Sequence, residues 1–406
     1  MPQLPRSPDG YDAWGTSRRS RLFPGPWLVH ADLHNHTWLS DGAGDPGRAF
    51  ASMRAAGLDV GAITDHSRWA SAFLGLAHAP GWTGIDVQAW RETAALADEA
   101  NADGEFVALR GFEWSHAGFG HMNVWGSQRF TDPLRTFPTM GRWWRWLERR
   151  GGDGLASFNH PGTGRLRFAR FAYRPALAER LVGLEIFNKT DEYLFKGTGQ
   201  GKQSPLDQCL NAGWRVGLLG VTDEHGADWG CPEGKGRAGL YVRELSRLGV
   251  TEALAARRFF ASRVKGLRVD AALTSLGGPS RQRRARMGAA VAHTAGPALV
   301  QIDLDRGAAW WGRRLNVQVL RPGAGRGLPT LAAALQVRLP SPDEPVIAFE
   351  VDLDPAGGDW VVLRVSDPSE PADPGASGEY TRLGRGIAYT SPFWLTPSPL
   401  AKPGLP

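Results

Sequence analysis

Between Trp27 and about residue 267, short apolar runs alternate with stretches that have a helical pattern. The apolar runs are 60–64, 106–109, 155–158, 181–187 and 215–221. The candidate helices are 45–56, 85–100, 139–150, 205–212 and 251–258. The first helix has the usual end signals, with Asp45 as N-cap, Pro46 at the first position and Gly57 just beyond its end. This alternation predicts an α/β fold with a parallel sheet, either a barrel or a doubly wound sheet.

The pattern changes after about residue 268. Apolar or alternating stretches at 298–304, 314–319, 346–351 and 360–365 are separated by Gly and Pro turns, without helical stretches between them. They predict a smaller all-β, sandwich-like domain at 268–406, whose expected role is packing or oligomerisation, so a homo-oligomer is compatible with the sequence. Residues 1–26 are rich in Pro and Arg and predict a loosely ordered arm. The α/β domain is therefore predicted to span 27–267.

The overall charge gives little indication of a partner. The chain has 47 basic and 41 acidic residues, a net charge of +6. No long basic run has the aromatic interleaving of RNA-binding segments, so we do not expect nucleic acid to be the partner. The two cysteines, Cys209 and Cys231, imply no disulfide framework and favour a reducing compartment. The sequence contains neither a signal-like apolar region nor a run near the ~18 apolar residues of a membrane span, so we expect a cytoplasmic protein that does not enter a membrane.

Most of the predicted strands end in side chains that can bind a metal ion. The first ends in His34-x-His36, and residues at i and i+2 of an extended segment share one face. The later strands end in or carry Asp65–His66, Glu113, His160, Glu185 with Asn188, and Asp223-x-His225. The carboxyl ends of parallel strands meet at one face of a barrel, so these side chains are expected to converge.

A single H-x-H is a weak signal, but similar endings on six strands favour a common site. Six of the ten histidines lie at or near these ends: His34, His36, His66, His121, His160 and His225. His116 is close enough in sequence to take the place of His121. Nitrogen and carboxylate donors without thiolates suit zinc, manganese or iron and argue against calcium. The ligands exceed the needs of one ion, so two or three ions are expected, with a carboxylate such as Glu113 bridging.

Several segments resemble one known superfamily of metal-dependent hydrolases. DLHNHTWLSDG, ITDHS, GFEW, NHP and TDEHG are similar to the polymerase-and-histidinol-phosphatase (PHP) superfamily. GFEWSHAGFGHMNVWG, LEIFN, LNAGWRVGLLGVTDEHG and YTSPFWL resemble its carbaryl-hydrolase-like (CehA/McbA) branch. The resemblance covers about residues 28–265 and is looser in the tail. It implies a distorted (β/α)7 barrel with a di- or trinuclear metal site.

The resemblance also implies a distribution of ligands over the ions. The first ion would be held by His34, His36, Glu113 and Asp223. The second would be held by Glu113, as the bridge, with His121 and His160. The third would be held by Asp41, His66 and His225. Asp65 would orient one of the ligands without binding an ion itself.

The expected activity is hydrolysis of a small-molecule ester by a metal-activated hydroxide, with a phosphomonoester or phosphodiester as the first choice. Asp223 or His225 could also handle a proton, and the candidate anion-binding residues, expected on loops after the metal strands, are Arg165, Arg167, Lys189 and Arg237. A carboxyl or carbamate ester is the alternative substrate for the same site. Trp38, Trp69, Trp114 and Trp229 flank the motifs, but 17 tryptophans are spread over the chain, so these four carry no weight. A nuclease and a non-catalytic, metal-stabilised module are the remaining alternatives.

Overall fold

The computed structural model describes residues 10–67, 84–136, 139–152, 154–162, 166–197, 203–230, 233–276, 284–323, 327–341, 343–344 and 346–397. Trp69, Arg165 and Cys231 lie outside the described residues, as does the beginning of the predicted N-terminal arm. The described residues form a mixed α/β structure with one sheet of 17 strands and one of four. The α/β class predicted from the sequence is confirmed.

Seven α-helices lie in the described residues, and most of the longer ones match the predicted positions. They are α1 (Pro46–Ala55), α2 (Val87–Ala100), α3 (Pro133–Thr136), α4 (Met140–Arg150), α5 (Phe168–Phe171), α6 (Pro205–Asn211) and α7 (Arg247–Ala255). At the start of α1 the Asp45 side chain accepts a hydrogen bond from the backbone N–H of Gly47 at 2.9 Å. The predicted bounds 251–258 of the last helix were wrong. The Ser246 hydroxyl accepts from the backbone N–H of Gly249 at 3.0 Å, so this helix begins one turn earlier.

Twenty-one strands lie in the described residues. In the first part of the chain they are β1 (Trp27–Asp32), β2 (Val60–Ile63), β3 (His66–Ser67), β4 (Val107–His116), β5 (Gly120–Trp125), β6 (Leu155–Asn159), β7 (Leu181–Asn188), β8 (Asp191–Glu192), β9 (Gly217–Val221), β10 (Arg237–Val242) and β11 (Phe259–Ser262). In the tail they are β12 (Arg268–Ser275), β13 (Ala285–Arg286), β14 (Ala290–His293), β15 (Gly296–Asp305), β16 (Arg314–Arg321), β17 (Thr330–Arg338), β18 (Ile347–Leu353), β19 (Trp360–Asp367), β20 (Arg385–Thr390) and β21 (Phe393–Pro397).

Parallel pairing joins the strands that carry the predicted ligands. Strand β1 pairs in parallel with β2, and β2 with β4, with helices α1 and α2 in the connections. Strand β6 pairs in parallel with β7, and β7 with β9, with α6 between the last two. These strands are buried along their whole length, except at Arg110 of β4, because side chains cover both faces of such a sheet. Their carboxyl ends therefore lie at one edge of the sheet.

Strand β5 departs from the predicted alternation. It forms an antiparallel hairpin with β4 and pairs antiparallel with β6 on its other side. The turn ends at Gly120, where a larger residue would be strained, because φ is +92° and an added Cβ would lie 3.0 Å from Arg167 Cδ. The hairpin places His121 opposite Ser115, near the carboxyl end of β4. A strand that runs the opposite way thus delivers its first residues to the ligand edge.

The tail contributes to both sheets. Strands β13, β12, β15 and β18 form the separate four-stranded sheet, while β20 continues the large sheet through antiparallel pairing with β11, where Phe260 lies opposite Thr390. Val269 and Ile302 of the small sheet share one hydrophobic cluster with Val317 of the large sheet. The pairing of β11 with β20 crosses the predicted boundary at 267/268.

A buried ion pair also connects the tail with the first part of the chain. The Arg364 guanidinium in β19 donates to both carboxylate oxygens of Glu192 in β8, at 2.8 and 3.2 Å, and both side chains have 0% exposure. Tyr389 donates to the same carboxylate, and Arg364 also donates to Gln318 at 2.7 Å. The network anchors the segment that follows β7 to the tail.

Among the described residues, no α-helix combines the length and the apolarity that crossing a bilayer requires.

Candidate metal centre

All nine predicted metal-binding residues lie together in the structure. Their donor atoms form four overlapping groups, within each of which the atoms lie within 4.8 Å of one another. The groups are His36 with Asp41, His66 and His225; His34 with His36 and Asp223; His34 with Glu113 and His160; and His66 with Glu113 and His121. The overlap makes this one site rather than four.

The group of His34, His36 and Asp223 lies at the ends of β1 and β9. The Nε2 atoms of His34 and His36 are 3.1 Å apart, and Asp223 Oδ1 lies 3.5 and 3.2 Å from them. Two ligands at about 2.0–2.1 Å from a zinc ion lie about 3.4 Å apart at the tetrahedral angle, so these separations fit a shared ion. Glu113 Oε1 lies 3.3 Å from His34 Nε2 and can complete the group.

Glu113 is the centre of the site. Its Oε1 atom lies 3.4 Å from His121 Nδ1 and 3.2 Å from His160 Nε2, while its Oε2 atom lies 2.6 Å from His66 Nδ1. The carboxylate has 0% exposure and accepts a hydrogen bond from Asn159 Nδ2 at 2.8 Å. Each of its oxygens thus faces a different set of histidines, which is the geometry that a bridging carboxylate requires.

A further group forms on the other side of His36. Asp41 Oδ2 lies 3.5 Å from His66 Nε2 and 3.4 Å from His225 Nε2, and Asp41 Oδ1 lies 3.7 Å from His36 Nδ1. The family resemblance implied Asp41, His66 and His225 as one ligand set. The structure brings these three together and adds His36, whose two nitrogens face different groups.

His121 and His160, which the resemblance implied for one ion, both face Glu113 Oε1 but fall in different groups. His160 groups with His34 and Glu113, whereas His121 groups with His66 and Glu113. Their rings are nevertheless neighbours, with centroids 4.9 Å apart. His121 Nδ1 is buried without a hydrogen-bond partner and faces Glu113, as expected of a side chain shaped to bind an ion.

The structure places His121, and not His116, in the ligand cluster. The Nδ1 atom of His116 accepts hydrogen bonds from the backbone N–H groups of Gly118 and Phe119, at 3.0 and 3.1 Å. Its ring stacks on Trp114, with centroids 5.5 Å apart. His116 therefore stabilises the turn between β4 and β5.

The buried histidines of the site differ in ionisation. Burial opposes protonation of His66, but Glu113 and Asp41 outweigh it and raise the pKa of His66 to about 10, whereas His36 and His121 shift the other way. Burial, with repulsion from His66 as the next cause, lowers the pKa of His36 to about 3. Burial also lowers the pKa of His121 to about 4, although Glu113 opposes this shift. Both imidazoles are therefore neutral near pH 7, and the neutral form is the one that binds metal ions.

The carboxylates are held in their charged form. Burial alone would raise the pKa of Glu113, but nearby histidines, His121 foremost, outweigh it and hold this pKa well below its usual range. For Asp223, His34 and His36 outweigh burial in the same way and lower its pKa. The interior of the site therefore combines anionic oxygens with imidazole nitrogens, a donor set that suits zinc, manganese or iron.

Three buried carboxylates hold ligand segments in place. Asp65 accepts hydrogen bonds from the Thr37 backbone N–H and hydroxyl, both at 2.7 Å, and from the Ser40 hydroxyl at 2.6 Å. It therefore orients the turn that carries Asp41, and it does not orient a histidine. Asp32 accepts from the Thr222 hydroxyl at 2.5 Å and thereby ties β1 to the segment before Asp223.

Glu185 is the third of these carboxylates. Its Oε1 lies 2.7 Å from His34 Nδ1, and its Oε2 accepts from the backbone N–H of His160 at 2.7 Å. The sequence marked Glu185 as a strand-end carboxylate without assigning it a role, and the role of Asp32 was missed. Their only sequence signal is a charged residue within an otherwise apolar buried strand.

Of the candidate anion-binding residues, Lys189 lies nearest to the site in the described contacts. Lys189 Nζ is 3.5 Å from Asp223 Oδ2, and 51% of its side chain is exposed. Arg167 is half-buried, and its guanidinium approaches both Gly120 and Gly162, which lie within two residues of the predicted ligands His121 and His160. Arg237, expected on a loop, instead begins strand β10 with 2% exposure.

The backbone at the site adopts conformations that side chains usually avoid. His160, Lys189 and Asp223 have φ values of 25°, 52° and 48°. Positive φ in residues other than glycine costs of order 1–3 kcal/mol and persists where the surrounding structure enforces it. At His160 and Asp223 the chain turns sharply just after a strand, which directs these side chains back towards Glu113 and His34.

Among the described residues, the flanking tryptophans Trp38, Trp114 and Trp229 do not form an aromatic pocket around the predicted ligands. Trp114 and Trp229 are buried, at 1% and 2% exposure, and the indole N–H of Trp229 donates to the His36 carbonyl at 3.2 Å. Trp38 is 58% exposed. The buried indoles pack against the segments that carry the predicted ligands and stabilise them.

No known protein-family model matches the chain, and no curated protein matches it. Among solved structures, the chain is similar to a two-domain protein from Bacteroides vulgatus that contains a predicted PHP-like metal-dependent phosphoesterase. The identity is 15% and the TM-score 0.46, over 93% of this chain and 98% of that chain.

Two other solved structures are similar over half of this chain. A candidate metal-dependent phosphoesterase from Bifidobacterium adolescentis has 16% identity and a TM-score of 0.27, over 50% of this chain and 88% of that chain. An amidohydrolase from Chromobacterium violaceum has 15% identity and a TM-score of 0.24, over 50% of this chain and 92% of that chain. These scores are too low to assign a family, so the chemistry of the site rests on the residues of this chain.

Proposed function

We propose that this protein is a metal-dependent phosphoesterase of the PHP type. The observation that carries the proposal is the position of Glu113, whose two oxygens face His34, His121 and His160 on one side and His66 on the other. A buried carboxylate shared in this way, with several imidazoles around it, is typical of a site for clustered divalent ions. The motifs that resemble the PHP superfamily supply these same residues.

The proposed site binds two or three divalent ions, chosen from zinc, manganese and iron by the nitrogen and oxygen donors. One ion would be held by His34, His36, Asp223 and Glu113. A second would be held by Asp41, His66 and His225, and a third by Glu113 with His121 and His160. Bound ions supply Lewis acidity, which activates water and stabilises the negative charge that develops on the ester.

The chain's own residues would bind the substrate and move protons. Lys189 lies at the edge of the site, where its ammonium group can pair with a phosphate oxygen beside Asp223. Arg167 can do the same from the side of His121 and His160. His225 is the most exposed of the predicted ligands near Asp223, with 30% of its side chain exposed, and is placed to exchange a proton with solvent.

We also propose the finer architecture implied by the family resemblance. Strands β1, β2, β4, β5, β6, β7 and β9 follow one another in the pairing pattern, and an isolated bridge between Asn35 and Glu224 connects the ends of β1 and β9. This pattern supports a distorted seven-stranded barrel over 27–267. The hydrophobic cluster shared by two sheets supports a sandwich-like tail over 268–406.

The proposal is tested by metal analysis of the purified chain followed by a panel of esters. The panel pairs p-nitrophenyl phosphate and bis(p-nitrophenyl) phosphate with naphthyl acetate and a naphthyl carbamate. We expect two or three equivalents of divalent metal, and hydrolysis of a phosphoester that chelation abolishes and metal restores. Glu113→Gln should lose metal and activity, whereas Glu350→Gln, an exposed control on β18, should keep both.

If the chain hydrolyses only the naphthyl esters, its substrate class is a carboxyl or carbamate ester and not a phosphoester. A metal-replete chain that cleaves none of the four would refute the proposal.

A further inference from the structure

A cavity of about 720 Å³ lies between the segment before α3 and helix α4. Six exposed arginines line it: Arg129, Arg135, Arg142, Arg145, Arg149 and Arg150. None of the predicted metal ligands is among its described lining residues. The cavity is thus a feature separate from the metal centre.

The positive charge of the chain is concentrated around this cavity. Residues 126–152 contain these six arginines and two acidic residues, Asp132 and Glu148, which gives a net charge of +4 against +6 for all 406 residues. Asp132 pairs with Arg135, at 3.4 Å from Nε to Oδ2. Arg142, Arg145 and Arg149 follow the i, i+3, i+7 spacing that places them on one helix face, where like charges repel. A bound polyanion would offset this repulsion.

Two aromatic rings complete the lining. Trp146 and Phe130 are half-buried and face the same cavity. Trp146 stacks on Trp143, with centroids 5.4 Å apart and planes at 10°, and Trp143 stacks on Trp114 at 4.6 Å and 14°. The Trp146 ring is therefore already fixed in orientation and offers a flat apolar surface at little entropic cost.

We propose that this cavity binds a nucleoside polyphosphate, with its phosphates on the arginines and its base against Trp146 or Phe130. The volume lies within the range of about 300–1,000 Å³ found for small-molecule sites. Arg142 to Arg149 spans about 10 Å along the helix, which suits a chain of phosphates better than a single one. Guanidinium groups bind phosphate in a bidentate manner and stack on rings, so they match both parts of the ligand.

The test measures binding of ATP, tripolyphosphate and adenosine to the full-length, metal-loaded protein by calorimetry at physiological salt. The metal centre can also bind phosphate, so Glu113→Gln, which is expected to lose the metal, is measured in parallel to isolate the arginine-lined cavity. We expect one ATP equivalent to remain in Glu113→Gln, and the double substitution Arg145→Gln/Arg149→Gln to weaken its binding about tenfold or more. Tripolyphosphate should bind more weakly than ATP, and adenosine should not bind measurably.

The control variant is Arg314→Gln/Arg338→Gln, which removes two exposed arginines of the tail and should leave ATP binding unchanged. Arg149→Glu, a single change at an exposed position, provides a second variant with the same expected loss. Equal ATP affinity in the arginine variants and in the unmodified chain would overturn the proposal. So would an arginine-dependent affinity for a single-stranded oligonucleotide that exceeds the affinity for ATP.

Discussion

The Nδ1 atom of His34 lies 2.7 Å from Oε1 of Glu185, and this contact determines which nitrogen His34 presents to the ligand cluster. A carboxylate accepts hydrogen bonds, so Nδ1 carries a proton, and Nε2 is the nitrogen that faces His36 and Asp223. The second oxygen of Glu185 accepts from the backbone N–H of His160. One buried carboxylate thus fixes two ligands that lie on different strands.

Replacing Glu185 with Gln should weaken metal binding. The amide has one acceptor oxygen where the carboxylate has two, so either His34 Nδ1–H or the backbone N–H of His160 would face the amide N–H₂ and lose its acceptor. We expect a loss of about 10–100-fold in metal affinity, measured by competition with a chromophoric chelator. Glu350→Gln is the matched control, because Glu350 is exposed on β18. Unchanged affinity in the Glu185 variant would show that Glu185 does not orient His34.

Replacing Asp41 with Asn should remove one ion and leave the others. Asp41 contacts His66 and His225 but belongs to none of the groups that contain Glu113. We expect native mass spectrometry to show one metal equivalent fewer than in the unmodified chain. Asp352→Asn, an exposed change on β18, should retain the full count. An unchanged metal content in Asp41→Asn would argue that this group holds no ion.

Replacing Lys189 with Met should impair turnover of a phosphoester without loss of metal. The side chain lies 3.5 Å from Asp223 and is half exposed, so it can reach a bound anion. A hydrogen bond to a charged group contributes about 1.5–3 kcal/mol, which corresponds to a loss of about 10-fold or more in kcat/KM. Lys265→Met, on a segment of the chain outside the ligand cluster, should have no effect. Equal loss for phosphate and acetate esters would contradict an anion-binding role.

The buried pair of Arg364 and Glu192 should be essential for folding. Glu192→Ala leaves the guanidinium of Arg364 buried without its carboxylate, at a cost of about 3–5 kcal/mol in the free energy of unfolding. Urea denaturation measures this loss. The control is Glu105→Ala in the exposed pair with Arg54, where about 1 kcal/mol or less is expected. Similar losses in the two variants would contradict the importance of this buried pair.

Asp373 should make stability depend on pH. Burial first, and then the neighbouring Glu192 carboxylate, raise the pKa of Asp373 to about 7. Between about pH 4 and pH 7, the folded state therefore holds a proton that the unfolded chain has released. The contribution of Asp373 to the free energy of unfolding is largest below about pH 4 and is lost as the pH rises through 7.

The substitution Asp373→Asn removes this titration. The stability of the variant relative to the unmodified chain should therefore increase between pH 5 and pH 8. Urea denaturation at several pH values measures the difference between the two free energies of unfolding. A difference that is constant over this range would show that Asp373 ionises at its ordinary pKa.

Local sequence signals determined much of the scaffold. The alternation of apolar runs and helical stretches indicated the α/β class, because burial on both faces requires continuous apolar strands. The spacings His34-x-His36 and Asp223-x-His225 indicated paired donors, because side chains two residues apart in an extended segment point the same way. The capping residue Asp45 indicated the start of α1.

Only the tertiary structure decided how these donors combine. His121 enters the site from β5, which pairs antiparallel with β4 and β6. The short sequence of β5 does not by itself indicate these partners. The sharing of Glu113 between groups and the contact from Glu185 to His34 depend on side chains separated by up to 151 positions. The pairing of β11 with β20 likewise joins the tail to the first part of the chain. Sequence periodicity reports which face of a segment is buried, whereas the partner of that face is selected by packing and hydrogen bonding across the whole fold.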